Sequence, residues 1–578
     1  MKKITAIFLI IGVLVVSAYV LVRQSLTTPG FTPTPPKDTV ASAKPKESFL
    51  DLKPKLIEKL QQLIKQGCNG LYNLSIRELK PDILNSTLSI SNALLVPDTA
   101  AMKVLEGQGK LPGEVFRIKT DSIWIDGLGI KDIISKEVVD VKSIHILKPT
   151  IDIYSNVTKQ AKGNDGEKTL YQRLMSQMKH IGIGNIIIQD AALIQHNSKN
   201  NKSTKFNDIA MHLSDIVIDS TTQFDRKRFL FAKEAALTMK NYAVPTSNNL
   251  YTFKVGVISI KAAKQSMVAS NVTLQPHYSK SEFQQHVSTQ KERYEISIPS
   301  IEFRNTDWWS LINSETLQAK SAQISKANVQ VYLDRRKPSG ETNMKGFPHQ
   351  LIMQLPMKLN IEKLVVNDLD ITYEEFSKLS GKAGKVIIEN MQGSISNLTN
   401  LPQIIKQNKT TTVSASGMFM KLAPVQLTLR FDLSNYKTGN YSAALKTAKA
   451  FDGSLVNPIA EPLGLFRIKR GELKSLVANI RGDNYKSSGD ILMLYDDLHI
   501  TPMKKDADHP GELKKKTVTS FIANTFVLKD ENPSKDGSVR KVNASFTRKS
   551  GTFFNGVWKT IFIGILKTIG APEKLAYQ

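Results

Sequence analysis

From about Leu71 onward, apolar and polar residues alternate with a period of two along most of the chain. Aliphatic pairs spaced by one residue recur, as at Ile123 and Ile125, and turn-forming sequences such as Asp126-Gly127 separate them. Such alternation is typical of strands with one buried face, and short connections favour antiparallel neighbours over crossover helices. The pattern therefore predicts a mostly β fold dominated by antiparallel strands.

The first residues follow a different pattern, because an uncharged and mainly apolar run extends over 4–22. Its 19 residues at about 1.5 Å each reach roughly 28 Å, close to the ~30 Å hydrocarbon thickness of a bilayer. We therefore predict a transmembrane anchor over residues 1–23. Lys2 and Lys3 keep its N-terminus in the cytoplasm, so the body is exported. A cleaved signal peptide is the alternative, since residues 16–18 resemble a cleavage site.

Three further segments depart from the strand pattern. Residues 24–47 are rich in Pro, Thr, Ser and Lys, which predicts a flexible linker before a body over residues 48–548. Apolar residues between Phe49 and Ile64 fall at helical spacing and predict an amphipathic helix. Residues 549–578 predict a second amphipathic helix, which either caps the sheet or lies in a membrane interface. The membrane-interface candidates are Phe553, Phe554, Trp558 and Phe562.

The body contains an internal repeat. Ser122–Tyr154 aligns without gaps on Ser300–Tyr332, at an offset of 300 − 122 = 178. The segment that begins at Ile181 falls on the segment that begins at Leu359 with the same offset, 359 − 181 = 178. A third block, 206–209, matches 388–391 after a four-residue insertion. One constant offset across separate blocks indicates a duplicated β unit, with copies at about 115–220 and 293–400 that extend one sheet.

The sequence contains no recognisable catalytic or metal-binding motif. Its nine histidines include no pair at ligand spacing, and it has neither a nucleophile elbow nor a phosphate-binding glycine loop. The pair Asp496-Asp497 is predicted to be a turn or rim feature, because adjacent strand residues point to opposite faces. The sequence thus predicts no enzyme, no cofactor and no metal, with an unrecognised enzyme as an alternative.

The chain is strongly basic, with a formal net charge of +26 at pH 7. The basic residues form short scattered clusters outside any nucleic-acid-binding signature, so nucleic acid is not an expected partner. For an exported body that faces a membrane, anionic lipid is the natural counter-charge. The single cysteine, Cys68, excludes an internal disulfide, so packing and strand pairing must provide the stability.

Several segments resemble the AsmA-like envelope proteins of bacteria. They are LSIRELKPDILNSTLSISNALLVPD from Leu74, the I-x-I-x-x-I-x-I strand units and N-P-x-x-E-P-L at Asn457–Leu463. The closing FFNGVWKTIFIGILKTIG is similar to the branch found in Bacteroidota-type bacteria. This family is related to bridge-like lipid transfer proteins. The resemblance implies a single-pass inner-membrane anchor, a periplasmic β groove and a part in moving phospholipid between the inner and outer membranes, and it supplies no catalytic residues.

The expected fold is thus an elongated antiparallel β-sheet curled into a groove, internally duplicated, with an N-terminal transmembrane helix and a few amphipathic helices. The candidate lipid-groove residues are Ile123, Ile125, Ile144, Ile146, Ile151, Ile153, Ile301, Phe303, Ile324, Val329 and Val331. About twenty strands at ~4.8 Å span roughly 100 Å, which is shorter than a periplasm, so the chain needs a partner to bridge it. The expected partners are membrane phospholipid, the inner membrane and an outer-membrane or envelope protein. The alternative is a non-enzymatic structural or assembly scaffold of the envelope with a filled core, because a packed sandwich shows the same alternation.

Overall fold

A computed structural model describes the chain from residue 57 onward, with gaps. The described residues are 57, 58, 61, 65, 70–82, 84–109, 111, 114–127, 138–155, 180–197, 202–222, 225, 228, 229, 231–246, 248–308, 310–311, 316–338, 346–355, 358–506, 509, 512–515, 528–548, 553–573 and 576. The predicted anchor and linker lie outside this part of the chain, as does most of the predicted helix between Phe49 and Ile64. Within the described residues, no helix combines the length and the apolar character needed to cross a bilayer.

The chain forms two compact units. Of the described residues, unit 1 contains those up to Tyr242 and those over Val257–Met267, and unit 2 contains those over Ala243–Gly256 and Val268–Leu311 and all those beyond residue 315. Three strands, β8 (Ala232–Pro245), β9 (Tyr251–Lys261) and β10 (Ser266–Pro276), have residues in both.

Unit 1 is a ladder of paired strands. They are β1 (Tyr72–Asp82), β2 (Thr87–Pro97), β3 (Glu114–Asp126), β4 (Val138–Leu147), β5 (Thr150–Ser155), β6 (His180–Asn197), β7 (Lys202–Ile218) and β8 (Ala232–Pro245). Strand β2 lies between β1 and β3, and β3 pairs with both β4 and β5. Strand β6 pairs with β4 and β5 on one side and with β7 on the other, and β7 pairs with β8. A helix, α1 (Thr99–Gly107), follows β2 and is capped by the side chain of Asp98.

Unit 2 by itself is also a ladder of paired strands. Its strands are β11 (Arg293–Thr306), β12 (Thr316–Asp334), β13 (Lys358–Phe376), β14 (Ala383–Thr399), β15 (Thr410–Phe419), β16 (Ala423–Asp432), β17 (Tyr441–Thr447), β18 (Phe451–Asp452), β19 (Phe466–Gly482), β20 (Lys486–Lys505), β21 (Leu513–Lys515) and β22 (Lys541–Thr547). Sequential neighbours pair from β11 to β17, and the ladder then runs through β19 and β20 to β22. The short strands β18 and β21 pair with β19 and β20.

Short helices connect these strands. They are α2 (Lys280–Phe283), α3 (Pro348–Met353), α4 (Pro402–Gln407), α5 (Asn457–Gly464) and the longer α6 (Phe553–Ile569), with 3₁₀ turns at Gln284–His286, Tyr436–Thr438 and Gly453–Val456. The described part of the chain contains 22 strands in which antiparallel pairs predominate. The prediction of a mostly β, antiparallel fold is therefore confirmed.

The two segments related by the repeat have the same strand order and register. Val138 of β4 pairs with His180 of β6, and Thr316 of β12 pairs with Lys358 of β13. Both pairs are parallel and 42 residues apart (180 − 138 and 358 − 316), and the second lies 178 residues after the first (316 − 138). The sequence analysis did not predict these parallel pairs, because it took the short connections between strands to favour antiparallel neighbours. The connections over 156–179 and 335–357 are long enough to allow them, since a parallel return needs a dozen or more residues.

Helix α6 covers part of the unit 2 sheet. Its buried side chains pack in one cluster with sheet residues such as Leu429, Ile480 and Ile491. A Cβ added at Gly564 would overlap the side chain of Ile491, so the close approach of helix and sheet requires glycine at this position. Within the C-terminal segment, Phe553–Ile569 thus form a helix, and one of its faces belongs to the core.

The same core contains a histidine without a hydrogen-bond partner. His349 of α3 is buried against Phe431, with ring centroids 5.0 Å apart. Within the described residues, neither ring nitrogen has a hydrogen-bond partner. Burial lowers the pKa of His349 from 6.5 to about 4, against the opposing charge of Asp432. The folded protein therefore keeps this ring neutral at pH values where the unfolded chain binds a proton.

We expect acid to destabilise unit 2 through His349. Because the folded pKa is the lower one, its contribution to stability is full above pH 6.5 and is lost as the pH falls towards 4. The loss at acid pH is about 3 kcal/mol. Urea denaturation at pH 7 and pH 4, compared with His349→Phe, measures it. Equal pH dependence in the two proteins would show that this histidine does not titrate on unfolding.

Candidate functional site

One face of the unit 2 sheet carries an apolar row that crosses ten strands. We define the apolar strip as the cross-strand partners Ile301, Ile324, Val366, Gly393, Ala415, Leu427, Leu445, Ala478, Ile491 and Val542. A parallel row runs beside it through Phe303, Ala322, Leu364, Ile395, Val413, Leu429, Ala443, Ile480, Gly489 and Ala544. The rows run across the strands, so at ~4.8 Å per strand the strip is roughly 43 Å long.

The opposite face is mainly polar at the corresponding positions, where Val365 and Ala444 are the apolar exceptions. Between the two apolar rows, the intervening strand residues are Glu302, Gln323, Val365, Ser394, Ser414, Thr428, Ala444, Asn479, Asp490 and Asn543. Neighbouring residues of a strand point to opposite faces, so these side chains lie on the reverse of the strip. A shallow depression of about 510 Å³ lies on this polar side, beside Lys363, Gln392 and Ser416. The sheet of unit 2 therefore has one apolar face and one polar face.

The exposure of the apolar strip changes along its length. Its far end, at Ala478 and Ile491, is buried beneath α6. From β11 to β15 the side chains are half-buried, and Ile301, Ile324 and Val366 are not part of the cluster around α6. This exposed section crosses five strands, which is about 19 Å. One leaflet of acyl chains occupies about 15 Å, half of the hydrocarbon thickness of a bilayer. The exposed section is thus long enough to hold one acyl chain.

The predicted groove residues of the first repeat are all buried. Ile123, Ile125, Ile144, Ile146, Ile151 and Ile153 each have less than a tenth of their surface exposed. Ile123 and Ile146 are direct cross-strand partners, and Ile146 pairs onward with Ile188. These side chains therefore form part of a core in unit 1.

The predicted groove residues of the second repeat are half-buried. They are Ile301, Phe303, Ile324, Val329 and Val331. Ile324 stands 178 residues after Ile146 (324 − 146), at the equivalent position of a strand with the same register, yet its side chain is more exposed. The structure thus places the accessible part of the predicted lipid-binding face in the second repeat.

The membrane-interface candidates of α6 divide into two groups. Phe554 is 63% exposed and Trp558 is 40% exposed. Trp558 stacks on the half-buried ring of Phe562, with centroids 5.8 Å apart. Phe553 is only 2% exposed, because its ring packs on Phe347, Phe431 and Tyr441. Its assignment to the membrane interface was therefore wrong, since a side chain enclosed by three aromatic rings belongs to the core.

The carboxylate pair lies in a strand and not in a turn. Asp496 and Asp497 are both in β20, where Asp497 has a positive φ of 48°. Asp496 forms an ion pair with Lys474, and the Oδ2 atom of Asp497 lies 2.8 Å from Nε of Arg470. Across the described part of the chain, no three His, Cys, Asp or Glu side chains are grouped to hold a metal ion. Neither arrangement suggests a catalytic dyad.

Sequence reasoning missed part of the exposed face. Leu364 and Val366 of β13 and Ile395 of β14 continue the two apolar rows beyond the candidates of β11 and β12. Their signal was present in the repeat, because Val366 stands 178 residues after Ile188 (366 − 188).

No protein-family model and no curated protein sequence matches the chain.

Proposed function

We propose that this chain is a membrane-anchored, non-enzymatic lipid-binding protein that holds phospholipid acyl chains on the exposed section of the apolar strip. One observation supports this proposal above the others: the strip is half-exposed over β11 to β15, whereas the reverse of the same strands is polar at every position of the row except Val365. Uncovered aliphatic surface in water is costly, at roughly 25 cal/mol per Å². A lipid chain on the strip removes that cost.

The predicted anchor and the family resemblance suggest where such a protein acts. In this proposal it is an AsmA-like protein of the inner membrane with its body in the periplasm. It assists phospholipid movement between the inner and outer membranes, together with an outer-membrane or envelope protein. The exposed aromatic pair Phe554 and Trp558 supports contact with a membrane surface, where aromatic rings are favoured.

A structural or assembly scaffold of the envelope is the second candidate. The burial of the six isoleucines in unit 1 favours it, because a filled core needs no ligand. The packing of α6 over the far end of the apolar strip favours it as well. The two candidates differ in one measurable property, since a scaffold binds no lipid on the exposed section.

A charge on the exposed section separates the candidates. We expect Ile324→Asp to reduce the phospholipid that co-purifies with residues 48–578, prepared without detergent, by about tenfold, because a carboxylate beside an acyl chain costs more than 1.4 kcal/mol. The melting temperature should change little, since the half-buried side chain reaches water. Extraction and quantification of phospholipid per chain, with thermal melting of the same sample, make the measurement.

Ser325→Asp is the matched control, because this adjacent residue lies on the polar face opposite Ile324. It should leave both bound phospholipid and melting unchanged. If phospholipid is absent from the unsubstituted body, or if Ser325→Asp removes as much of it as Ile324→Asp, the strip is not a lipid-binding face.

A further inference from the structure

The polar face of unit 2 carries a row of cations and hydroxyl groups. We define the basic row as the cross-strand partners Lys363, Ser396, Thr412, Arg430, Ser442 and Arg481, on β13 to β17 and β19. Each of them stands two residues along its strand from a residue of the intervening row, so the basic row lies on the same polar face. Across these strands the basic row extends over about 24 Å. Every member carries either a positive charge or a hydroxyl group.

The three cations of the basic row are exposed and unpaired. Lys363, Arg430 and Arg481 are all exposed residues. Among the described residues, none of the three forms an ion pair or a side-chain hydrogen bond. At ~4.8 Å per strand, Lys363 lies roughly 14 Å from Arg430, which in turn lies roughly 10 Å from Arg481. The row thus presents separate positive charges with hydroxyl groups between them.

Carboxylates beside the basic row are bound to other groups. Asp432 and Asp483 each accept backbone hydrogen bonds within the turn that follows their strand. Asp490 forms an ion pair with Lys541, in which Oδ2 and Nζ are 3.2 Å apart. The basic row itself contains no carboxylate. Its positive charge is therefore available to an anionic ligand.

A shallow depression adjoins the basic row at Lys363. It has a volume of about 510 Å³, and its wall includes the uncharged side chains of Gln392, Ser414 and Gln426. In the part of the chain that the structure describes, these amide and hydroxyl groups have no hydrogen-bond partner. Gln426 is the cross-strand partner of Lys446, a further exposed cation. The depression therefore places neutral donors and acceptors between positive charges.

We propose that the basic row and the depression bind an acidic glycan, which is a polysaccharide whose carboxylate or phosphate groups are separated by sugar hydroxyl groups. Lys and Arg side chains bind carboxylate and phosphate through charge-assisted hydrogen bonds, so charge complementarity favours an anion. The hydroxyl and amide side chains between the cations both donate and accept hydrogen bonds, as sugar hydroxyl groups do. This face is the reverse of the apolar strip, so the inference goes beyond the proposed lipid site and does not depend on it.

Other anionic polymers fit this face less well. Over these strands, neither the basic row nor the intervening row contains an aromatic residue. Single-stranded nucleic acid stacks its bases on aromatic side chains, and this face provides none. An acidic peptide in extended form pairs with the edge of a sheet through its main chain, whereas the basic row lies on a face. The observations therefore favour a glycan.

The test measures the binding of a fluorescent hyaluronan oligosaccharide to the full-length chain in uncharged detergent micelles, by fluorescence anisotropy. Every second sugar of hyaluronan carries a carboxylate, whereas a chitin oligosaccharide of the same length is neutral. We expect the chain to bind hyaluronan and not chitin. Lys363→Gln and Arg430→Gln should each weaken binding about fivefold, the upper range for an exposed ion pair, and the double variant about twentyfold.

Two further variants separate recognition of a glycan from attraction to charge. Thr412→Val removes the hydroxyl group between these two cations and leaves the charge unchanged, so it should weaken hyaluronan binding about threefold. Arg470→Gln is the matched charge control, because Arg470 lies outside the basic row and its side chain is 63% exposed beside Asp497. It should change the affinity by less than about twofold. All four substituted positions are at least half-exposed or on the surface, so melting should stay normal.

Several results would overturn the inference. An equal loss in Arg470→Gln would assign binding to the net charge of the chain, and equal affinity for chitin would exclude recognition of an acidic group. Inorganic polyphosphate or oligothymidine bound as tightly as hyaluronan, with no effect of Thr412→Val, would make the row a general polyanion site. Binding of anionic vesicles that the row variants lose, without any hyaluronan binding, would place the row against a membrane. Ile324→Asp should leave hyaluronan binding unchanged, so failure of the lipid proposal is distinguishable from failure of this one.

Discussion

Ile146→Asp is expected to unfold unit 1. The Ile146 side chain is buried between Ile123 and Ile188, its partners on the neighbouring strands. The substitution removes about 1.5–3 kcal/mol of apolar burial and adds the cost of an unpaired charge in the core, so the total loss is about 4 kcal/mol or more. Urea denaturation followed by circular dichroism measures this loss.

The repeat supplies the control for this experiment, because Ile324 is the equivalent residue of the second copy. Ile324 is half-buried and outside the core cluster around α6, so Ile324→Asp should cost only about 1 kcal/mol. A loss of equal size at both positions would mean that the second repeat has a filled core as well. The scaffold would then be the better description of the protein.

Phe553→Ala is expected to lower the stability of unit 2 by about 3–5 kcal/mol. Its ring packs on Phe347, Phe431 and Tyr441 with centroids 4.8 to 5.3 Å apart, so truncation leaves a cavity between the helix and the sheet. The substitution should also loosen α6 from the sheet. Denaturant unfolding gives the change in stability, and amide hydrogen exchange along α6 shows whether the helix loosens.

Phe554→Ala is the neighbouring control on the same helix. Because 63% of the Phe554 surface is exposed, its truncation should change stability by no more than about 0.5 kcal/mol. If this ring meets a membrane, the same variant should bind anionic vesicles more weakly while its melting stays normal. A stability loss as large as that of Phe553→Ala would place Phe554 in the core and remove the exposed aromatic surface.

The sequence predicted the strands because their signal is local. A period of two in apolar residues needs only one buried face, and the described residues indeed form mainly strands. The offset of 178 appears again in the register of β4 with β6 and of β12 with β13. Positive φ values recur at the same offset, at Lys148 and at Lys326 (326 − 148), so the local bend of the strand is repeated as well.

The exposure of the predicted groove could not be read from the sequence. Ile146 and Ile324 have the same residue type and equivalent positions, and their burial differs because it depends on what packs against each face. Helical periodicity likewise placed Phe553 and Phe554 in one stripe, and only the contact with the sheet separates them. The ion pair between Arg335 and Glu375 joins residues 40 positions apart in the chain (375 − 335), so no local motif marks it.

Photocrosslinking in native membranes tests the central claim most directly. A photoreactive side chain is placed at position 324, on the apolar face, and in a second protein at position 325, the next residue on the polar face. The full-length chain is irradiated in membranes of the cells that express it, and phospholipid adducts on β12 are counted by mass spectrometry. The account predicts adducts at position 324 and none at position 325. No adduct at position 324, or equal adducts at both positions, would contradict it.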